Sequence, residues 1–93
     1  MIVVADTSPI NYLILIGGIE ILTKMYGKVV IPHAVCEELL RPSAPETVRN
    51  WTRHPPDWLE VRTPVHAPDT TLATLDPGER DAILLAAELS ADS

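Results

Sequence analysis

The chain opens on a short, largely β-branched apolar run, Ile2-Val3-Val4-Ala5, which stops at Asp6 and is followed at once by Thr7-Ser8-Pro9. Such a run reads as a buried strand. Ser8 is a suitable N-cap, and Pro9 fits the first helical position because its missing N–H would have no helical partner there. Asp6 therefore falls where a strand hands over to a helix. In an open α/β sheet that is the carboxyl edge, where ligands gather, so a carboxylate at this point is a candidate metal ligand or nucleophile. The competing reading is that Asp6 only accepts hydrogen bonds from loop N–H groups.

The remainder of the chain continues in α/β order. Pro9 to Ile16 reads as a short helix, Gly17-Gly18 breaks it, and Ile19 to Tyr26 reads as a second helix closed by Gly27. Lys28-Val29-Val30-Ile31 is a second β-branched strand. Pro32 then opens a helix running through Leu40, and Pro42 stops it. An amphipathic helix is expected over Glu46 to Arg53, a weaker third strand over Leu59 to Arg62, and a loop over Thr63 to Leu75. Asp76-Pro77-Gly78-Glu79 leads into a long apolar helix from Arg80 to about Leu89. Strands alternating with helices predict a parallel sheet with crossover helices in a single domain spanning residues 1–93.

Composition narrows the function classes. With no Phe, two Trp and two Tyr, the core of this 93-residue chain has to be aliphatic. One cysteine, Cys36, excludes an internal disulfide framework, and no Cys or His pair has zinc-ligand spacing. Cytoplasmic residence is the expectation. No leader segment is read, and an apolar stretch such as Tyr12 to Ile16 is far too short to span a bilayer. A formal charge of −6 argues against a broad basic face for nucleic acid. A bound divalent metal would still reverse the sign locally.

Helical geometry sorts the other acids. At about 100° per residue, Glu38 lies within roughly 60° of Val35, at the edge of the buried stripe, whereas Glu37 lies about 160° away and faces water. A carboxylate beside an apolar stripe costs several kcal/mol to bury unless something pairs with it, and a metal would do so. Glu79 shares a stripe with Ile83, Ala86 and Ala87, while Asp81 lies about 160° from Ile83, so the two cannot both point at one site. Asp76 and Glu79 also stand at the spacing of a capping box, with Pro77 at the first helical position between them, which gives Glu79 a structural alternative. Ile83, Leu84, Leu85 and Leu89 are spread around most of the last helix, as in a buried helix rather than one with a solvated face.

Taken in order, Val4-Ala5-Asp6-Thr7-Ser8-Pro9, then Val30-Ile31-Pro32 with Val35-Cys36-Glu37-Glu38-Leu39, then Leu75-Asp76-Pro77-Gly78-Glu79-Arg80-Asp81-Ala82-Ile83, resemble the PIN-domain nucleases. The branch of that family closest in pattern includes the VapC-like toxins of toxin–antitoxin pairs. The resemblance implies a PIN-like, Rossmann-like parallel sheet with carboxylates at its carboxyl edge. These would hold Mg²⁺ or Mn²⁺ for hydrolysis of an RNA phosphodiester. By position it implies Asp6 as the first acid, Glu38 as the second and Glu79 as the acid of the later helix, with Asp81 the less favoured choice. Ser8 would position the metal shell or a phosphate, and Glu37, Asp57, Asp69 and Asp76 have no role. Hard divalent ions take oxygen ligands, and one or two of them can activate water and stabilise the attacking and leaving oxygens.

Members of that family continue past the equivalent of Leu89-Ser90-Ala91-Asp92 into a further apolar strand ending in Asp. The resemblance therefore implies a chain shortened after its third strand and following helix, without the fourth acid. Three functions follow as expectations: a metal-dependent ribonuclease with RNA as substrate and an antitoxin protein as partner; an inactive PIN-like module that binds a partner; and phosphoryl transfer through an aspartyl-phosphate. The last usually needs a second acid two residues after Asp6, where this chain has Ser8. Nucleotide binding is excluded because no Gly-rich loop follows the first strand. The first strand, mid-sheet in the family, would become an exposed edge here, which predicts a homo-oligomer, and the absent fourth acid predicts little ribonuclease activity.

Overall fold

The computed structural model describes residues 2–66, 70–72 and 74–91. Strands β1 (Ile2–Val4), β2 (Lys28–Pro32) and β3 (Leu59–Arg62) form one parallel sheet in the order β1-β2-β3. Helices α1 (Thr7–Leu15) and α2 (Ile21–Tyr26) carry the chain from β1 to β2, and α3 (His33–Leu39) and α4 (Glu46–Arg53) carry it from β2 to β3. A 3₁₀ turn at Thr70–Leu72 precedes the last helix, α5 (Pro77–Ala91). The α/β class with a parallel sheet and flanking helices is the one the sequence predicts.

β2 is central because it is the strand that can be buried on both faces. Val29, Val30 and Ile31 are all fully buried, and alternation sends Val30 to the face opposite the other two. Val29 and Ile31 join Ile10, Ile14, Ile19, Val35, Leu39 and Val48 in the main apolar cluster. Register sets Val3 beside Val29 and Val4 beside Val30 on one side of β2, and Leu59 beside Val29 and Val61 beside Ile31 on the other. Trp51 on α4 and Trp58, just before β3, stack with ring centroids 6.0 Å apart and tilted by 50°, which fixes α4 against the start of that strand.

Several element ends differ from expectation. Asp6, not Ser8, is the N-cap of α1: its backbone is extended (φ −93°, ψ 177°) and its side chain accepts the Thr7 N–H. Ser8 and Pro9 therefore lie inside the first turn, where the missing proline N–H still forfeits no helical bond. The far end of α1 closes as a Schellman motif, with Gly17 at φ 75° and the N–H groups of Gly17 and Gly18 donating to the carbonyls of Ile14 and Leu13. α2 begins at Ile21 rather than Ile19, Pro32 remains the last residue of β2, and Leu40 caps α3. α4 and β3 have the expected bounds.

The stripe assigned to α5 is corrected. Ile83, Ala86 and Ala87 are exposed, whereas Gly78 and Leu85 are buried, with Asp81 and Ala82 partly covered on the same side. The helix is apolar nearly all round, so periodicity selects no unique face, and packing against α3, β1 and β2 decides instead. The expectation of a helix without a solvated face is corrected with it. Parts of the Thr63 to Leu75 loop, including Asp69, and the terminal Asp92 lie outside the described residues. Among the described residues no helix is long and apolar enough to cross a membrane.

Candidate metal centre

β1 delivers Asp6 to the carboxyl edge of the sheet. The last β1–β2 hydrogen bond, from Ala5 N–H to the Val30 carbonyl at 3.0 Å, leaves Asp6 immediately beyond the paired backbone. Its Oδ1 accepts the Thr7 N–H at 2.7 Å. The competing reading of Asp6 is thus true in part, since it does satisfy a backbone donor. One carboxylate has lone pairs for more than one partner, so capping does not exhaust it.

α3 delivers Glu38. Val35 and Leu39 are buried and anchor the helix, Glu38 is half-buried on the flank, and Glu37 is exposed and paired with His33 at 2.8 Å, as helical geometry requires. The Thr7 hydroxyl donates to Glu38 Oε2 at 2.5 Å, which ties the first turn of α1 to α3 and fixes the carboxylate's orientation. The hydroxyl that reaches an acid is Thr7's. Ser8 stands on the exposed side of the same turn.

The two carboxylates meet in front of Gly78. A Cβ at that position would lie 3.1 Å from Asp6 Oδ1, 3.3 Å from Glu38 Oε1 and 3.3 Å from Val35 Cγ2. Gly78 is buried in the first turn of α5, and its lack of a side chain leaves open the small volume on which both oxygens converge. Neither Thr7 nor Gly78 stands out in the sequence. The signal for the glycine was its place directly before Glu79, at the opening of the last helix.

Glu79 and Asp81 behave differently from each other. Asp76 Oδ1 accepts the Glu79 N–H at 2.9 Å, so the cap that the spacing suggested is formed. The neighbouring Asp76 carboxylate, then desolvation, then the charge of Asp6, a hydrogen bond to Asp76 and the charge of Glu38 all push the exposed Glu79 carboxyl above its ordinary range. Glu79 is therefore within electrostatic reach of the pair, though Asp76 is its nearest influence. Asp81, half-buried, is held by Arg80 Nε at 3.1 Å. Among the described residues no three His, Cys, Asp or Glu side chains gather closely enough to hold one ion, so the assembled unit is the pair Asp6 and Glu38. Burial, then the Glu37 charge, pushes the Cys36 thiol up, which leaves it protonated and a poor nucleophile.

The donor set suits a hard divalent cation. Magnesium-type ions are commonly held by one or two carboxylates and keep several waters, which two convergent carboxylates and an open volume provide. The chain is thus an α/β protein with a parallel sheet and an acidic pair at the sheet's carboxyl edge. A family model described as a PIN domain matches residues 2–93, and the chain belongs to the PIN-domain family, a nuclease fold that is generally dependent on divalent metal. No curated protein and no solved structure matches the chain.

Proposed function

We propose that the chain is a metal-dependent endoribonuclease of the VapC-like toxin type, hydrolysing RNA phosphodiester bonds in the cytoplasm and held in check by an antitoxin protein. The observation that carries this reading is the convergence of Asp6 Oδ1 and Glu38 Oε1 on the space in front of Gly78. Asp6 and Glu38 would hold Mg²⁺ or Mn²⁺, and the bound ion would supply an activated water and charge stabilisation at the phosphodiester. Thr7 orients both acids, one through its N–H and the other through its hydroxyl. Glu79 would be the third acid, coupled to Asp6 and Glu38 through its charge but outside the assembled pair. Asp81 is less favoured because Arg80 already neutralises it, and Ser8 takes a supporting place toward the metal's waters or a phosphate.

The test is RNA cleavage with Mg²⁺ or Mn²⁺ by the wild-type chain and by Asp6→Asn. Loss of even a supporting group costs a metal site roughly 10–100-fold, and loss of a ligand should cost at least as much. Cleavage that persists undiminished in Asp6→Asn would remove the proposed site.

A second reading, a PIN-like module that acts by pairing with another protein or a second copy, is favoured by one feature. β1 is an edge of the sheet, pairing with β2, and Ile2 on it is half-exposed. Tyr12, Leu15 and Ile16, at i, i+3 and i+4 on α1 and its cap, are exposed as well. An open sheet edge is a template for strand pairing, and exposed apolar side chains add area to such a contact.

A further inference from the structure

The chain carries a formal charge of −6, and a metal site made of carboxylates must nevertheless receive a polyanion. Like charge at long range slows and weakens that encounter, so a cation placed at the site is needed to hold the strand. The seven Lys and Arg residues can be sorted by what they already touch. Lys28 and Arg62 are both paired with Glu60, and Arg80 with Asp81. Arg49 donates to the Ala44 carbonyl and Arg53 to Asn50, both on or beside α4. Lys24 lies in the last turn of α2.

Arg41 differs from these in standing beside the acidic pair. It follows the end of α3, where its N–H donates to the Glu38 carbonyl, and among the described residues its guanidinium has no acidic partner. It lines a cavity of about 320 Å³ together with Glu38, His33, Thr63, Pro77 and Asp81. Glu37 lines it too and pairs with His33, Asp81 pairs with Arg80, and Glu38 accepts the Thr7 hydroxyl. Among the described residues Arg41 supplies the guanidinium of that cavity, beside the Glu38 carboxylate. A second cavity of about 330 Å³, bounded by Arg62, Val65, His66 and Glu88, also reaches Thr63, so open space runs past that residue on both sides.

We propose that Arg41 is a phosphate-positioning residue, gripping the substrate phosphate next to the one at the acidic pair, with the strand leading away over Thr63. This rests on the nuclease reading. Guanidinium presents a planar fork that matches phosphate oxygens, and Arg41 follows Glu38 by three residues, just past the C-cap of α3, so the end of that helix brings both to one cavity. A second phosphate contact fixes the register of the strand without reading its bases.

The experiment is equilibrium binding of a fluorescein-labelled single-stranded RNA oligonucleotide by anisotropy, with Ca²⁺ in place of Mg²⁺, across roughly 50–200 mM salt. Arg41→Gln should weaken binding about threefold to tenfold and reduce the slope of log K against log salt by about 0.7, the value for one contact to a single strand. Arg41→Lys should keep most of that slope. Arg53→Gln, at the exposed end of α4, should change neither quantity. In Mg²⁺, Arg41→Gln should raise KM with kcat nearly unchanged, and Mn²⁺ affinity by calorimetry should match wild type. If wild type binds RNA and Arg41→Gln binds it with the same affinity and slope, the role of Arg41 is gone and the nuclease reading stands. If wild type neither binds nor cuts RNA, the nuclease reading itself falls, and this proposal with it.

Discussion

Asp6 and Glu38 carry like charge and share one small volume, which only the missing side chain of Gly78 keeps open. Gly78→Ala separates that role from stability. Alanine gains about 1 kcal/mol of helix propensity over glycine, while its methyl must press on two carboxylate oxygens and Val35 at 3.1–3.3 Å. The melting temperature should therefore move little, whereas Mn²⁺ affinity should drop at least about tenfold by calorimetry as the acids are pushed apart. Wild-type affinity in Gly78→Ala would mean that the ion, if bound, sits elsewhere. The two acids could be read from the sequence because each depends on local geometry: Asp6 on the end of an apolar run, Glu38 on its angle from Val35. Thr7 and Gly78 could not, because their roles exist only once α1, α3 and α5 meet. Between Glu79 and Asp81 the sequence had no means to choose, since α5 is apolar on several sides and either acid sits beside some hydrophobic stripe.

Glu88 fastens the far end of α5 to the segment after β3. The Glu88 carboxylate accepts the Val65 N–H at 3.1 Å, the His66 N–H at 3.0 Å and a contact from His66 Nδ1 at 2.8 Å, which clamps the segment after β3 to the helix. These hydrogen bonds, the His66 backbone first, hold the Glu88 carboxyl below its ordinary 4.5. A carboxyl whose value is depressed by folding adds stability that is present above its unfolded value and is lost as pH falls through the folded one. Thermal melts of wild type should thus show an acid-side decline from about pH 4.5 downward, and Glu88→Gln, which cannot ionise, should flatten that part of the profile. An identical acid limb in the variant would show that the clamp is not linked to protonation. The clamp joins residues 65 and 88, a pairing that no periodicity announces, whereas α4 and β3 were bounded correctly because prolines at 45, 55 and 56 punctuate them.

Among the described residues the sheet has three strands, and β1 is at its edge. An edge strand with unpaired backbone groups on one side is a surface for pairing. Sedimentation at micromolar concentration should show a dimer or larger species, and a charge introduced on the edge by Ile2→Lys should shift it toward monomer, since charged residues are what natural edges use against pairing. A wild-type monomer under those conditions would end the oligomer proposal.

Thr7 reaches across to Glu38, and Gly78 closes on both from the start of α5, so residues far apart in sequence must meet before the acidic pair is enclosed. Contacts of such long separation form late in folding. During synthesis the first two acids leave the ribosome well before the helix that completes their pocket. Until α5 docks, the two acids stand apart and open to water, so the order of the chain makes assembly of the acidic pair one of the later events in its folding.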